Sequence, residues 1–263
     1  MLKDLAVCDV DKTLYDATRA IVAGIRHLKL KPTPQLFYAF GCWLLKRVWG
    51  REWFSEKVSD IYMSILQENG PERMEAFYHY VATHTDLLHA GPVALMQACA
   101  QARIKMVFIT GNDANFVNIF LRENGMGDSD HEVFGGEFEV VDGQYTGQAE
   151  GSNMGAAGKA VVIESLRRSY PNVPVVLAMG DDEGDLPLFE AAARDGGICV
   201  MVGNNSRLEC ELLTRDFSIF SDVQDFERSS ASKKVLRVDA QDTTAVETVS
   251  GWARNRTTAS VGN

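Results

Sequence analysis

An α/β fold with a parallel sheet, interrupted by an all-helical insertion, is predicted by three observations. Short and densely apolar runs, Met106–Ile109, Val173–Met179 and Gly197–Val202, alternate with helical segments through the second half of the chain. Runs of this kind are strands buried on both faces, as in parallel sheets covered by helices. From about Ala17 to Arg103, in contrast, apolar residues return at helical spacing, as at Ile21, Ile25 and Leu28 and again at Phe54, Val58, Ile61 and Ile65. Finally, three apolar runs each end in a polar cluster: Asp9-Val10-Asp11, Thr110-Gly111 and the stretch from Gly180 to Asp185. Open parallel sheets bind their ligands just beyond the carboxyl ends of the strands.

The elements follow in order. Leu5 to Cys8 is a first strand that runs straight into "DVD". The helical stretch after it is punctuated by Lys31-Pro32-Thr33-Pro34 and by Asn69-Gly70-Pro71, both helix boundaries. Within it, "LFYAFGCWLLKRVW" (Leu36 to Trp49) is apolar nearly all round, which fits the inner layer of the insertion. An apolar substrate wall, a dimer contact or a membrane-surface face ending in Lys46-Arg47 are its other readings. After Met106–Ile109, Asn112 or Asp113 is placed to cap a helix that ends at Asn124-Gly125. "GEFEVVDGQYTG" alternates and turns at Asp142-Gly143, a β-hairpin. A helix over Gly155 to Arg168, the strand Val173–Met179, a helix over Leu186 to Ala193, the strand Gly197–Val202, one more helix and a last strand near "FSIF" complete the core. Residues 1–15 and 96–225 therefore read as the core and 16–95 as the cap. The polar stretch 226–263, where Val235, Leu236 and Trp252 offer little to bury, reads as a loosely held end.

The totals narrow the function. The chain has 263 residues, 46% hydrophobic and 24% charged, which is ample for a soluble core. A formal net charge of −10 disfavours nucleic acid as the main partner, because a phosphate backbone needs a basic face. It leaves room for a small anion met by a local cation. The five cysteines, Cys8, Cys42, Cys99, Cys199 and Cys210, are scattered without a CxxC pair. They read as buried thiols in a reducing compartment, with no disulfide frame and no zinc site. The longest apolar run, Leu36–Leu45, is far short of the roughly 20 residues that span a bilayer. A cytoplasmic protein without integral membrane association is expected; its oligomeric state is open.

Asp9 and Asp11 pose the central electrostatic problem, since alternation along a strand turns both carboxylates to one side. Taken alone, the pair also fits a solvated strand end. Taken with Thr110, Lys159 and the acidic run Asp181-Asp182-Glu183-Gly184-Asp185, it does not. The histidines at 27, 79, 84, 89 and 131 have no metal-like spacing, and Lys12 reads as a surface side chain.

This ordered set resembles the haloacid dehalogenase superfamily in its phosphatase branch. Asp9-Val10-Asp11-Lys12-Thr13-Leu14 matches a DxDxT first motif, Thr110 the second, Lys159 in "GKAVV" the third, and Asp181 with Asp185 the acidic fourth. The helical insertion and the hairpin before the lysine are similar to those of phosphoserine-phosphatase-like members. The resemblance implies a Rossmann-like core with a helical cap and a Mg²⁺-dependent phosphomonoesterase. It implies Mg²⁺ ligation by the carboxylates of Asp9 and Asp181 and the backbone carbonyl of Asp11, with Asp185 or Asp182 holding metal-bound water. It further implies that Asp9 becomes phosphorylated, that Asp11 donates and then accepts a proton, and that Thr110, Gly111, Asn112 and Lys159 receive the phosphate oxygens. Asp182 is also placed as a helix N-cap.

The expected substrate is a small phosphate ester: phosphoserine-like, an amino-alcohol phosphate or a lipid-like phosphate. Thr18 stands where phosphoserine phosphatases typically carry a substrate-binding glutamate, and Thr110 where they usually have serine. A phosphotransferase or mutase using the same aspartyl-phosphate, and a non-catalytic binding module on the same fold, are the alternatives.

Overall fold

The computed structural model describes residues 4–34, 51–150, 155–241, 243 and 251. The strands are β1 (Leu5–Asp9), β2 (Lys105–Asp113), β3 (His131–Val141), β4 (Gln144–Glu150), β5 (Val175–Gly180), β6 (Ile198–Val202), β7 (Ser218–Phe220) and β8 (Lys234–Val238). They form one sheet in the order β4-β3-β2-β1-β5-β6-β8-β7, parallel except for the β3–β4 hairpin. That hairpin turns at Asp142 and Gly143, whose φ values of 50° and 75° are the left-handed pair that a two-residue turn needs.

Alternation along β1 shows why both faces are covered. Ala6 and Cys8 point to one core, Leu5 and Val7 to the other. On the first side lie α3 (Ala90–Gln101), α4 (Ala114–Glu123) and α8 (Val223–Arg228), contributing Met96, Cys99, Phe116, Phe120 and Phe226. On the second lie α5 (Ala156–Ser169), α6 (Leu186–Arg194) and α7 (Ser206–Thr214), contributing Val162, Leu166, Phe189 and Leu212. A sheet buried on both faces needs apolar residues at successive positions, and β1, β5 and β6 are buried throughout.

Between β1 and β2 the chain forms the helical insertion. α1 (Ala17–His27) is capped by Asp16, which accepts from the Arg19 amide. α2 (Arg51–Thr83) is broken at Gly70, where φ is 72°, immediately before Pro71. Leu66, Met74, Tyr78 and Val81 of α2 are fully buried and join the first core. The outgoing and returning segments are laced together: Asp16 N–H donates to Leu87 C=O and His89 N–H to Leu14 C=O, both at 2.9 Å. The apolar run Leu36–Trp49 lies outside the described residues, apart from which no described helix is long and apolar enough to cross a membrane.

α3 packs Val93, Leu95 and Met96 into the sheet's first core, which the insertion's Leu66, Met74, Tyr78 and Val81 also join, so this core runs continuously across the expected border at residue 96. The C-terminal expectation is corrected. Residues 226–241 are not a loose end. Lys234–Val238 is an inner strand between β6 and β7, with Val235 and Leu236 buried, so the strand at "FSIF" is the sheet edge and not its last strand. The charges of "KVLRV" concealed it: Lys234 sends its ammonium to the carbonyls of Phe226 and Ser229, and Arg237 sends its guanidinium to Ser221. Long basic side chains reach out while their neighbours bury.

Candidate active site

Strand register brings the polar clusters to one level. Asp9 pairs with Ile109 and Cys8 with Met179, so Asp9 lies beside the ends of β2 and β5 where Thr110 and Asp181 follow. Asp9, Asp181 and Asp185 each turn a carboxylate oxygen to a common point, all within 4.8 Å of one another.

Lys159, in the first turn of α5, enters this acidic group. Its ammonium donates to Asp9 Oδ1 at 2.6 Å and to Asp185 Oδ1 at 2.5 Å. All three side chains are buried. Burial works against the lysine's charge, but Asp185 and Asp9 outweigh it and hold the ammonium well above the usual lysine range. Burial pushes the Asp9 carboxyl well up, against the pull of Lys159. Asp181 is pushed up to about 7 by burial and then by Asp185 and Asp182.

The three carboxylates are bound differently. Asp185 spends both oxygens: Oδ1 on Lys159, and Oδ2 on the backbone N–H groups of Asp181 and Asp182 at 2.9 and 3.0 Å. It fastens the turn after β5 to the lysine. That turn needs Gly180, since a Cβ there would lie 2.4 Å from the Asp185 carboxyl. Asp182 caps the short helical turn Glu183–Asp185 by accepting from the Gly184 amide at 2.7 Å. Asp9 Oδ2 accepts from the Thr13 hydroxyl at 3.0 Å, and the same hydroxyl stands 3.5 Å from Asp181 Oδ1. Asn205 donates to the Asp181 carbonyl at 3.0 Å, steadying the loop from the far side.

Asp11 forms a second centre. Thr110 Oγ1 donates to its Oδ2 at 2.8 Å, and the Tyr15 hydroxyl to its Oδ1 at 2.6 Å. Asn112 Nδ2 donates to Oδ1 as well. The Asn112 amide is fixed in turn by Thr110 Oγ1 at 3.0 Å, with Gly111 between them at the end of β2. Asp113, and not Asn112, caps α4. Lys12 is exposed, as expected, with a left-handed φ of 61°. It borders a cavity of about 460 Å³ shared with His89, Asp181, Asn204, Asn205 and Arg207.

Asp9, Asp11, Thr110, Asn112, Lys159, Asp181 and Asp185 are thus brought together from the ends of three strands and one helix. Thr13 entered only as the threonine of the DxDxT match, without a role, and Tyr15 and Asn205 were not singled out from the sequence. Thr13 and Tyr15 each stand four residues after the aspartate they touch, and that spacing in a turn was the available signal.

The donor set fits a metal ion. With all three carboxylates ionised, one ammonium leaves two negative charges, which one divalent cation would balance. All the candidate ligands are hard oxygens, which suit Mg²⁺. With Asp185 engaged, Asp9 and Asp181 have the freest oxygens.

Comparison with known proteins agrees with this geometry. Residues 6–190 match the model of the haloacid dehalogenase-like hydrolases, well over half of the chain. A phosphoserine phosphatase of Archaeoglobus fulgidus is 28% identical over 106 residues, 40% of this chain but 30% of that protein's own length. Among solved structures, a phospho-aspartyl intermediate analogue of phosphoserine phosphatase superposes with a TM-score of 0.56 at 17% identity, covering 82% of this chain and 99% of that one. A cytosolic 5′-nucleotidase IIIB bound to cytidine superposes with a TM-score of 0.58 at 10% identity, covering 99% and 88%. At such identities the superpositions speak for the fold. The matched residues span the strand ends that carry the acidic cluster, and the chain belongs to the haloacid dehalogenase-like hydrolases.

Proposed function

We propose that the protein is a Mg²⁺-dependent phosphatase that cleaves the monoester bond of a small phosphorylated metabolite through a phosphorylated Asp9. The observation that carries this reading is the convergence of Asp9, Asp181 and Asp185 on one point, with Lys159 bound between Asp9 and Asp185.

Asp9, Asp181 and the Asp11 backbone carbonyl would hold the ion, with Asp185 anchoring the turn behind them. The bound ion supplies positive charge between an anionic nucleophile and an anionic phosphoryl group. Lys159 works against the burial that favours a neutral Asp9 and offers its remaining donor capacity to the phosphoryl oxygens. Thr110, Asn112 and the Gly111 N–H line the end of β2, where they would bind the other oxygens. An Asp9 carboxylate oxygen bonds to phosphorus as the ester P–O bond breaks. The Asp11 carboxyl gives its proton to the departing oxygen, and the resulting carboxylate then takes one from the water that hydrolyses the aspartyl-phosphate. Splitting the displacement into two steps leaves each with the same charged surroundings.

The relatives include a phosphoserine phosphatase, and a phosphorylated amino acid is one member of the substrate class. Thr18 supplies no carboxylate to a substrate amine. Amino-alcohol and lipid-like phosphates therefore belong to the class as well. The test is phosphate release from a panel of such esters with Mg²⁺, for the wild type and for Asp9→Asn. Turnover by the wild type that disappears in Asp9→Asn supports the reading. A panel that yields no phosphate contradicts it, and phosphorylated product from an added alcohol points to phosphotransfer instead.

A further inference from the structure

Asp11 has more donors around its carboxyl group than a proton shuttle needs, and they are unevenly shared. Among the described residues, Oδ2 accepts from Thr110 alone, at 2.8 Å. Oδ1 accepts from both Tyr15 and Asn112. A carboxylate oxygen has two lone pairs, so Oδ1 is filled and Oδ2 keeps one pair open.

The donor that stands out is Tyr15, because its whole side chain is held in place. The residue is 6% exposed, and its ring lies 5.0 Å from that of Phe116, tilted by 58°. Phe116 in turn meets Tyr78 of α2 edge-on at 5.5 Å. The backbone of Tyr15 forms bridges with Asp11 on one side and with Leu88 on the other, where the chain returns from the insertion. Its hydroxyl also lies 3.3 Å from Asn112 Nδ2, so the two donors to Oδ1 support each other. A tyrosine fixed at the junction of core and insertion thus reaches the carboxyl group expected to move the proton.

We infer that Tyr15 is a positioning residue for Asp11: with Asn112 it occupies Oδ1, and so commits Oδ2 to proton transfer. This rests on the reading of Asp11 as the proton donor. As the ester P–O bond breaks, the proton on Oδ2 passes to the departing oxygen, whose bonding pair it takes up, while the new bond joins Asp9 to phosphorus. Tyr15 keeps its own proton throughout. Its part is to stop the carboxyl group from rotating, which would turn the protonated oxygen away from the ester.

Leaving-group dependence separates this role from a general structural one. An alkyl phosphate needs the proton, because an alkoxide is a poor leaving group. p-Nitrophenyl phosphate does not, because nitrophenolate leaves unaided. kcat/KM reports the steps through loss of the alcohol or phenol, before hydrolysis of the phosphorylated enzyme. For Tyr15→Phe, with Mg²⁺ present, kcat/KM for an alkyl phosphate should fall about ten- to hundredfold, the range of a hydrogen bond to a charged group. For p-nitrophenyl phosphate it should move less than about threefold, since that step makes no call on the general acid. An equal fall on both esters, or no fall on either, overturns the inference while leaving the phosphatase reading intact. No turnover of either ester by the wild type overturns both. If Tyr15→Phe does not fold, Phe116→Leu carries the same test, because it loosens the ring and keeps the hydroxyl; the same one-sided loss, in smaller measure, is expected.

Discussion

Lys159 Nζ lies 2.6 Å from Asp9 Oδ1, joining residues 150 positions apart in a space that both side chains share with Asp185. The pairing explains how carboxylates are kept at the buried ends of β1 and β5. Desolvation favours neutral acids there, and the Lys159 ammonium among them opposes that preference.

Removing that cation should be expensive. Lys159→Met leaves Asp9 and Asp185 facing each other without compensation, and breaking a buried pair from one side costs about 3–5 kcal/mol. Urea unfolding of the metal-free protein measures it. A loss well below 1 kcal/mol would show that Lys159 does not hold the cluster together.

The metal-free protein should lose stability as pH rises. Asp181 has an ordinary value of 3.8 and is pushed up to about 7 when folded. Between these values the folded state binds more protons than the unfolded chain, so stability is full below the lower value and is lost as pH rises through the upper one. Melting temperature without metal should decline across this window, and Asp181→Asn should flatten the decline and raise stability at neutral pH. A steeper decline in the variant would contradict the assignment.

Mg²⁺ should reverse that loss in the wild type. A ligand bound only by the folded state at a hundred times its Kd stabilises it by about 2.7 kcal/mol. Thermal unfolding with and without Mg²⁺ reads this directly. Asp9→Asn and Asp181→Asn should each abolish most of the shift, and a full shift in either would remove that residue from the ligand set.

Gly180→Ala tests the packing under the site. The added methyl would meet the Asp185 carboxyl at 2.4 Å, and overpacking of this kind costs about 1–3 kcal/mol. Asp185 must move to make room, so phosphatase activity should fall by more than the loss of folded protein accounts for. A variant of normal stability and activity would show that the turn is tolerant.

The chemistry was more legible in the sequence than the borders of the fold. Asp9, Thr110 and Asp181 each follow an apolar run long enough to read as a strand, so their meeting at the carboxyl ends of neighbouring strands followed from parallel topology alone. Lys159 was legible through family resemblance and not through spacing, since a lysine in a first helical turn is ordinary. Tyr15 was not legible, because its function depends on a turn that folds it back on Asp11. β8 was missed because only Val235, Leu236 and Val238 of its five residues are buried, and two basic residues mask them.

The central claim is that the carboxylate bound to Lys159 becomes phosphorylated. The most direct measurement is mass spectrometry of the enzyme quenched in acid during turnover of a phosphate ester with Mg²⁺, followed by peptide mapping. The account predicts one phosphoryl group on the peptide carrying Asp9, present in the wild type and absent in Asp9→Asn. Continued turnover with no phosphoryl group on that peptide, or with one carried by a different residue, would contradict it.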